Sequence, residues 1–393
     1  MTVDSIAHRR WAWATIDLDA VEHNVALLRA RSAPAALWAV VKADGYGHGS
    51  VPVSFAALRA GAAGLCVALV QEGVELRAAG IDAPILVFGE QPIGQLDDLI
   101  EHHLTPTVYT AAYVDALAAR AGERIDVHVN VDTGMQRVGV PPSLLADLLA
   151  TVRAHSPQLA PVAIYTHLAC ADEPDHPAND QQMTAFDRVI DDLGEACPPI
   201  VHVGNSAAAL AFPRARRSFV RAGIAIYGIS PGAGVDDLCA GLRPAMSLEA
   251  RVSHVKRVPA GSSVSYGWRH RFDHATTVAT VPLGYADGVP RRLGTLPDRT
   301  GADVLIGGRR HPIVGVVTMD QLMVDVGDHD VGFGEPVVLI GRQGDESITV
   351  AEWADRLGTI GYEIVCGIAS RVPRAFVGGS GAAMTRASAR STF

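Results

Sequence analysis

The sequence predicts an α/β plus all-β chain, with an N-terminal (β/α)8 TIM-type barrel followed by a C-terminal β domain. Eight short apolar runs alternate with alanine-rich or amphipathic helical stretches up to about residue 230, the strand count of such a barrel. From about residue 240 the texture changes to β-branched runs punctuated by glycine and proline. The 393 residues, 48% hydrophobic and 19% charged, suit a well-cored chain of two or three domains.

The strand-like stretch ATIDL at 14–18 is one too many for the barrel, so residues 1–18 are expected to join the β domain. A helix follows, with Asp19 as N-cap, Glu22 three residues later, and Val21, Val25 and Leu28 on one face. Barrel strands are expected near 37–42, 64–69, 84–88, 105–109, 125–131, 161–167, 200–204 and 218–222, with helices such as 110–121 and 179–193 between them. The barrel is assigned to 19–238, its end marked by the turn-rich Ser230-Pro231-Gly232-Ala233-Gly234. ARVSHVKRV, TTVATVPLG, HPIVGVVTM, LMVDVG and EPVVLIG supply the β domain, assigned to 239–378. The small, polar tail 379–393 is expected to be disordered.

A formal charge of -9 gives no footprint for phosphate backbones, so nucleic acid is not expected as a partner. No run approaches the roughly 18 apolar residues of a membrane helix, and the start, MTVDSIAHRR, has charges where a signal peptide is apolar. A cytoplasmic protein without membrane contact is expected. Cys66, Cys170, Cys197, Cys239 and Cys366 stand far apart, odd in number and with no CxxC pair, so neither disulfides nor a metal site is expected, only buried small hydrophobes.

Of 33 basic residues only Lys42 and Lys256 are lysines. Lys42 ends an apolar run, Trp38-Ala39-Val40-Val41, where a charge is costly to bury. Arginine cannot lose its proton or form an imine, whereas a desolvated lysine can do both, so Lys42 points to amine chemistry. The loop Ala43-Asp44-Gly45-Tyr46-Gly47-His48-Gly49 allows close backbone approach and offers the Tyr46 hydroxyl. Other candidates fall at strand ends, where barrels carry their chemistry: Asn130, Asp132, Met135 and Arg137 in VNVDTGMQRVG, His167 in IYTHL, Asn205 and Ser206 in VHVGNS, and Arg221 in FVRAG. An amine, an imidazole, two guanidiniums and hydroxyls around one mouth suit a phosphorylated aldehyde, and pyridoxal phosphate meets these terms. A Schiff-base aldolase of sugar phosphates fits the lysine and the barrel equally well, but leaves the β domain without a task.

Over residues 11–376 the chain resembles the alanine racemases, which join a pyridoxal-phosphate barrel to a β domain. The resemblance rests on VVKADGYGHG, VDTGMQRVGV, YTHLACADE, GNSAA, VRAGIAIYG, VSYG, VPLGYADGVPRR, VGVVTMDQLMVDVG and YEIVCGIASRVPR, in that order. It implies a homodimer that interconverts L-alanine and D-alanine and supplies D-alanine for peptidoglycan precursors. By the same resemblance Lys42 would carry the cofactor through its amine, and Tyr285 would be the second base. Tyr285 and Met319 would come from the other subunit. Arg221 would face the pyridine nitrogen, and His167 would link it to Tyr285, whose phenol would be acidified by the adjacent histidine and arginine charge. Tyr46, Ser206 with Asn205, and the amides of Gly223 and Ile224 would hold the phosphate. Arg137 and the Met319 amide would take the substrate carboxylate, with Asn130 and Asp320 in support.

Two positions depart from the family pattern. Where these racemases usually place a carbamylated lysine beside the arginine, this chain has Asn130, which leaves room for a chloride. A phosphate-binding tyrosine found in some members before RVPR is Ser370 here. Asparagine at the first of these positions also occurs in the broad-specificity branch, the alternative reading of the side-chain range. A related decarboxylase would be expected to pair a carboxylate with the pyridine nitrogen, and a single-barrel cofactor-binding protein would not need the β domain.

Overall fold

The computed structural model describes residues 9–379, so the expected disorder of the tail lies, apart from Gly379, outside the described residues. By internal contacts the described residues form two units, one comprising Ala20–Gly45 and Ser50–Arg243, the other residues 9–19, 46–49 and 244–379.

The first unit is a parallel barrel. Numbering strands along the whole chain from β1 (Ala12–Asp17), its members are β2 (Ala36–Val40), β3 (Gly64–Val67), β4 (Ile85–Val87), β5 (Thr105–Val108), β6 (Ile125–Asn130), β7 (Leu159–Tyr165), β8 (Ile200–His202) and β9 (Phe219–Ala222). They are hydrogen-bonded in the order β8-β7-β6-β5-β4-β3-β2-β9. Ser218 N–H donates to Val201 O (2.9 Å) and Arg221 N–H to Gly204 O (2.8 Å), linking the two ends of that order. β3 and β4 are buried at every residue, as expected of parallel strands covered on both faces.

The first helix runs from Leu18 to Ser32 and buries Val21, Val25 and Leu28. Asp19 is not its cap: the helix begins one residue earlier, and the Asp19 carboxylate accepts the Gly379 amide (2.8 Å). The helices expected at 110–121 and 179–193 run over Ala111–Ala118 and Pro177–Leu193.

The second unit is built on β10 (Met246–Arg251), β11 (His254–Val258), the hairpin of β12 (Ser263–Val264) with β13 (His270–Arg271), β14 (Thr276–Val281), β15 (Asp303–Ile306), β16 (Arg309–Val314), β17 (Leu322–Gly327), β18 (Pro336–Gln343), β19 (Glu346–Ile348) and β20 (Arg374–Val377). The large sheet runs β11-β14-β17-β16-β15-β18-β10-β1-β20, with β19 on β18. β10 and β17 alternate strictly between buried and half-buried residues, the pattern of strands with one core face. The unit also carries helices over Val350–Leu357 and Gly361–Cys366. The first begins at a reciprocal cap, Thr349 with Glu352, which sequence reasoning passed over. The run ARVSHVKRV is divided between β10 and β11.

None of the five cysteines forms a disulfide among the described residues, but only Cys66 is fully buried and Cys366 is exposed, so the expectation of buried small hydrophobes holds for Cys66 alone. Among the described residues no helix is long and apolar enough to cross a membrane.

Candidate active site

Lys42 lies two residues beyond β2 and is half-buried, whereas Lys256 is exposed on β11. The chain then winds left-handed: Ala43, Asp44 and Gly45 have φ between 51° and 61°, and Tyr46 has φ 53°. Such a conformation costs a non-glycine residue roughly 1–2 kcal/mol, so the surroundings must impose it. Ala43 N–H donates to Glu72 Oε1 (2.6 Å), Gly45 N–H to Val41 O (2.9 Å) and Ser50 N–H to Asp44 Oδ1 (2.8 Å). Glu72 Oε2 meanwhile accepts the amides of Ala68 (2.8 Å) and Leu69 (3.0 Å), tying the turn after Lys42 to the loop after β3. Beneath it, Tyr227 Oη donates to Val40 O (2.9 Å).

Arg221, on β9, is 3% exposed and makes no ion pair among the described residues. Its Nη2 donates to Thr166 O and Val203 O (both 3.0 Å) and meets His167 Nδ1 at 3.2 Å, while Nη1 meets His202 Nδ1 at 2.7 Å. Arginine can only donate, so both Nδ1 atoms accept and both rings carry their proton on Nε2. His202 Nε2 in turn lies 3.1 Å from His128 Nδ1. Burial, then the Arg221 charge, holds His202 well below the usual histidine range and takes His128 down to about 3. Burial and the charges of Arg221, Arg137 and Lys42 take His167 to about 3 as well. His167 is therefore neutral, with its proton on Nε2. Burial likewise pushes the Tyr165 phenol, under the Arg221 guanidinium at 5.1 Å, up to about 12.

Ser206 begins a short helix after β8, and its Oγ accepts the amides of Gly223 (2.8 Å) and Ala225 (3.4 Å). The Gly223 amide thus draws Ser206 against the turn that follows β9. The Asn205 side chain caps that helix, accepting Ala208 N–H at 2.9 Å. Asn130 is the last residue of β6 and is buried, and it shares a pocket with Asp132, Met135, Arg137, Thr166 and His167. Asp132 Oδ1 is occupied by the amides of Gly134 (2.9 Å) and Gln136 (3.1 Å), so it braces its own loop rather than pairing with Arg137. Arg137 is exposed, and among the described residues it has no carboxylate partner.

Ile224 is fully buried and opens a short helical turn after β9, and the remaining sequence candidates lie in the other unit. Tyr46 is buried, with its ring 6.0 Å from that of Tyr362. Tyr285 and Met319 are 44% and 52% exposed, two of the twelve large hydrophobic side chains exposed among the described residues. Tyr285 N–H donates to Thr318 O and Ala286 N–H to Met319 O (both 3.0 Å), so the two residues lie on adjoining loops. Asp320 pairs with Arg371 at 2.8 Å. Among the described residues no cluster of histidine, cysteine and carboxylate side chains is placed to hold a metal ion.

Sequence reasoning passed over Glu72, His128, His202 and Thr166. The two histidines occupy ordinary alternating positions in DVHVN and IVHV, and only the register of β6, β7, β8 and β9 brings them to Arg221.

The model of the alanine racemase N-terminal domain matches residues 16–231, and that of the C-terminal domain residues 245–376. An alanine racemase of Thermobifida fusca is 45% identical over 376 residues, 94% of this chain and 98% of that protein. One of Symbiobacterium thermophilum is also 45% identical, with the same coverage. Among solved structures, an alanine racemase from Bacillus anthracis with bound L-Ala-P superposes with TM-score 0.87 at 40% identity, covering 94% of this chain and 95% of that one. The alanine racemase of Streptomyces coelicolor does so with TM-score 0.89 at 38% identity, covering 96% and 100%.

Proposed function

Because this chain belongs to the alanine racemase family, we propose that its barrel mouth holds pyridoxal 5'-phosphate and that Lys42 and Tyr285 exchange the alanine Cα proton on opposite faces. The protein is an isomerase that interconverts L-alanine and D-alanine. Residues 19–238 serve as the cofactor-binding barrel, and 239–378 together with 1–18 as the β domain.

Arg221 carries this reading. A buried, permanent donor held by imidazoles and carbonyls, without a carboxylate, suits a ring nitrogen that must accept and stay unprotonated. Ser206 fits the phosphate, since an oxygen already accepting two amides has its own proton left for an anionic oxygen, and it follows the next-to-last strand of the barrel, where phosphates commonly sit. Lys42 would hold the aldehyde carbon, with Tyr46, Asn205, Gly223, Ile224 and His167 completing the shell. Bound there, the cofactor supplies an electron sink that acidifies the Cα proton of the amino acid joined to it.

In one direction the Lys42 amine, displaced from the aldehyde carbon by the amine of the substrate, would take the Cα proton and Tyr285 Oη would deliver another to the opposite face; in the reverse direction the roles would exchange. Each turnover leaves the two groups with swapped protonation, which the solvent or the reverse reaction resets. Arg137 can hold the substrate carboxylate through its fork of donors, alongside the Met319 amide. Without a carboxylate at the ring nitrogen the sink is weak, which favours reprotonation at Cα over transamination or decarboxylation.

The exposure of Tyr285 and Met319 supports a homodimer in which each copy completes its partner's site. The three cations around His167 favour an anion beside Asn130, and chloride is the candidate. Its driving force is smaller than a buried Arg137 would give, because that guanidinium is exposed. The enzyme would act in the cytoplasm on free alanine and feed D-alanine to peptidoglycan precursors.

Borohydride reduction of the yellow holoenzyme, followed by peptide mapping, tests the assignment. Label on Lys42 and a colourless Lys42→Ala variant are expected; label on Lys256 would overturn it. Racemisation measured over a panel of L-amino acids separates strict alanine use from the broad-specificity alternative that Asn130 raises.

A further inference from the structure

The loop bearing Tyr285 is held by a network that the reaction itself does not use. Gly284 and Gly288 flank it, and each abuts a neighbouring backbone. A Cβ on Gly284 would come within 2.3 Å of Thr318 O, and one on Gly288 within 2.2 Å of Gly367 O. Between them Asp287 is completely buried. Its Oδ2 accepts the Gly284 amide at 3.0 Å, closing the turn over Tyr285, and its own carbonyl accepts Ala369 N–H at 3.1 Å. Its Oδ1 pairs with Arg10 and, at 2.9 Å, with Arg371 Nε. Arg371 then reaches across with Nη2 to Asp320 Oδ1 at 2.8 Å, next to Met319. One guanidinium thus joins a buried carboxylate under Tyr285 to an exposed one beside Met319, a span that its fork can bridge and a point charge cannot.

We propose that Asp287 and Arg371 are positioning residues that lock the Tyr285 turn to the Met319 loop, so that the phenol and the carboxylate-binding amide keep a fixed spacing. The proposal rests on the reading of Tyr285 as a proton-transfer group. Arg371 is half-exposed and Arg10 also pairs with Asp287, so Arg371→Gln leaves the buried carboxylate a partner. Arg371→Lys keeps the charge without the fork.

The test combines amide hydrogen exchange of the holoenzyme with turnover of alanine deuterated at Cα, measured from both enantiomers. In Arg371→Gln, exchange at the Tyr285 and Ala286 amides should rise about tenfold. Turnover should fall about 100-fold, as a misplaced catalytic group commonly costs, with KM changed less than about twofold. The deuterium effect should grow only from the enantiomer whose proton Tyr285 removes, and Arg371→Lys should recover little of this. Unchanged amide exchange would overturn the proposal, as would raised exchange with unaltered turnover and isotope effects. A Tyr285→Phe variant with wild-type turnover would remove the underlying reading instead, and amide exchange in Arg371→Gln would still report whether the lock exists.

Discussion

His202→Phe separates hydrogen bonding from packing at the centre of the barrel. The His202 ring lies between Tyr165 and Phe219, with ring centroids at 4.5 and 4.2 Å and planes within 22° of parallel. Phenylalanine keeps that stack and nearly the same volume but has no ring nitrogen. Arg221 Nη1 then loses its acceptor at 2.7 Å, and His128 Nδ1 loses its donor at 3.1 Å, in a region where all three residues are at most 3% exposed. A hydrogen bond to a buried charge is worth about 1.5–3 kcal/mol and a neutral one about 1 kcal/mol, so the variant should lose about 2.5–4 kcal/mol. Urea unfolding of wild type, His202→Phe, Arg221→Met and the double variant isolates the charged part. Once Arg221 is gone, His202→Phe should cost only the His128 share, leaving a coupling of about 1.5–3 kcal/mol. A coupling below about 0.5 kcal/mol would show that His202 does not hold the guanidinium.

Other outcomes follow from the same geometry. Tyr285→Phe should lower solvent deuterium uptake at Cα by about 100- to 10,000-fold, unequally from the two enantiomers; equal, wild-type exchange from both would exclude its role. Activity should be indifferent to bicarbonate and fall when a bulky anion replaces chloride at constant ionic strength, with Asn130→Lys reversing both responses; no effect of chloride removal on activity or alanine affinity would dismiss the anion. His128, with its folded-state pKa lowered to about 3 from 6.5, stays neutral while the unfolded chain takes up a proton, so its contribution is complete above pH 6.5 and lost as pH falls toward 3. Stability should decline by about 1.4 kcal/mol per pH unit for that group, and a His128→Phe variant whose unfolding free energy shows the wild-type slope between pH 6 and 4 would contradict it.

The barrel was legible because parallel strands buried on both faces read as continuous apolar runs, as in Gly64–Val67 and Ile85–Val87. Lys42 and Arg221 were legible as strand-end groups, one of them conspicuous in a lysine-poor chain. The protonation state of His167 was not, since it is set first by burial and then by Arg221, Arg137 and Lys42, which only the folded barrel gathers. Glu72 was hidden for the same reason: its contact with the Ala43 amide spans 29 residues. Asp19 shows the opposite failure, a local capping signal whose side chain was taken by a distant amide.

The chain of bonds from Arg221 through His202 to His128 has a fixed polarity, each link donating away from the guanidinium. A proton could leave the mouth by this path only if arginine gave one up, so the barrel interior acts as an insulator at its floor. If Lys42 and Tyr285 act as proposed, isotope lost from Cα would return to water through the open end of the barrel. The fraction of label carried from one enantiomer to the other would then measure how well that end is sealed during turnover, a property set by the surface of the site and not by its core.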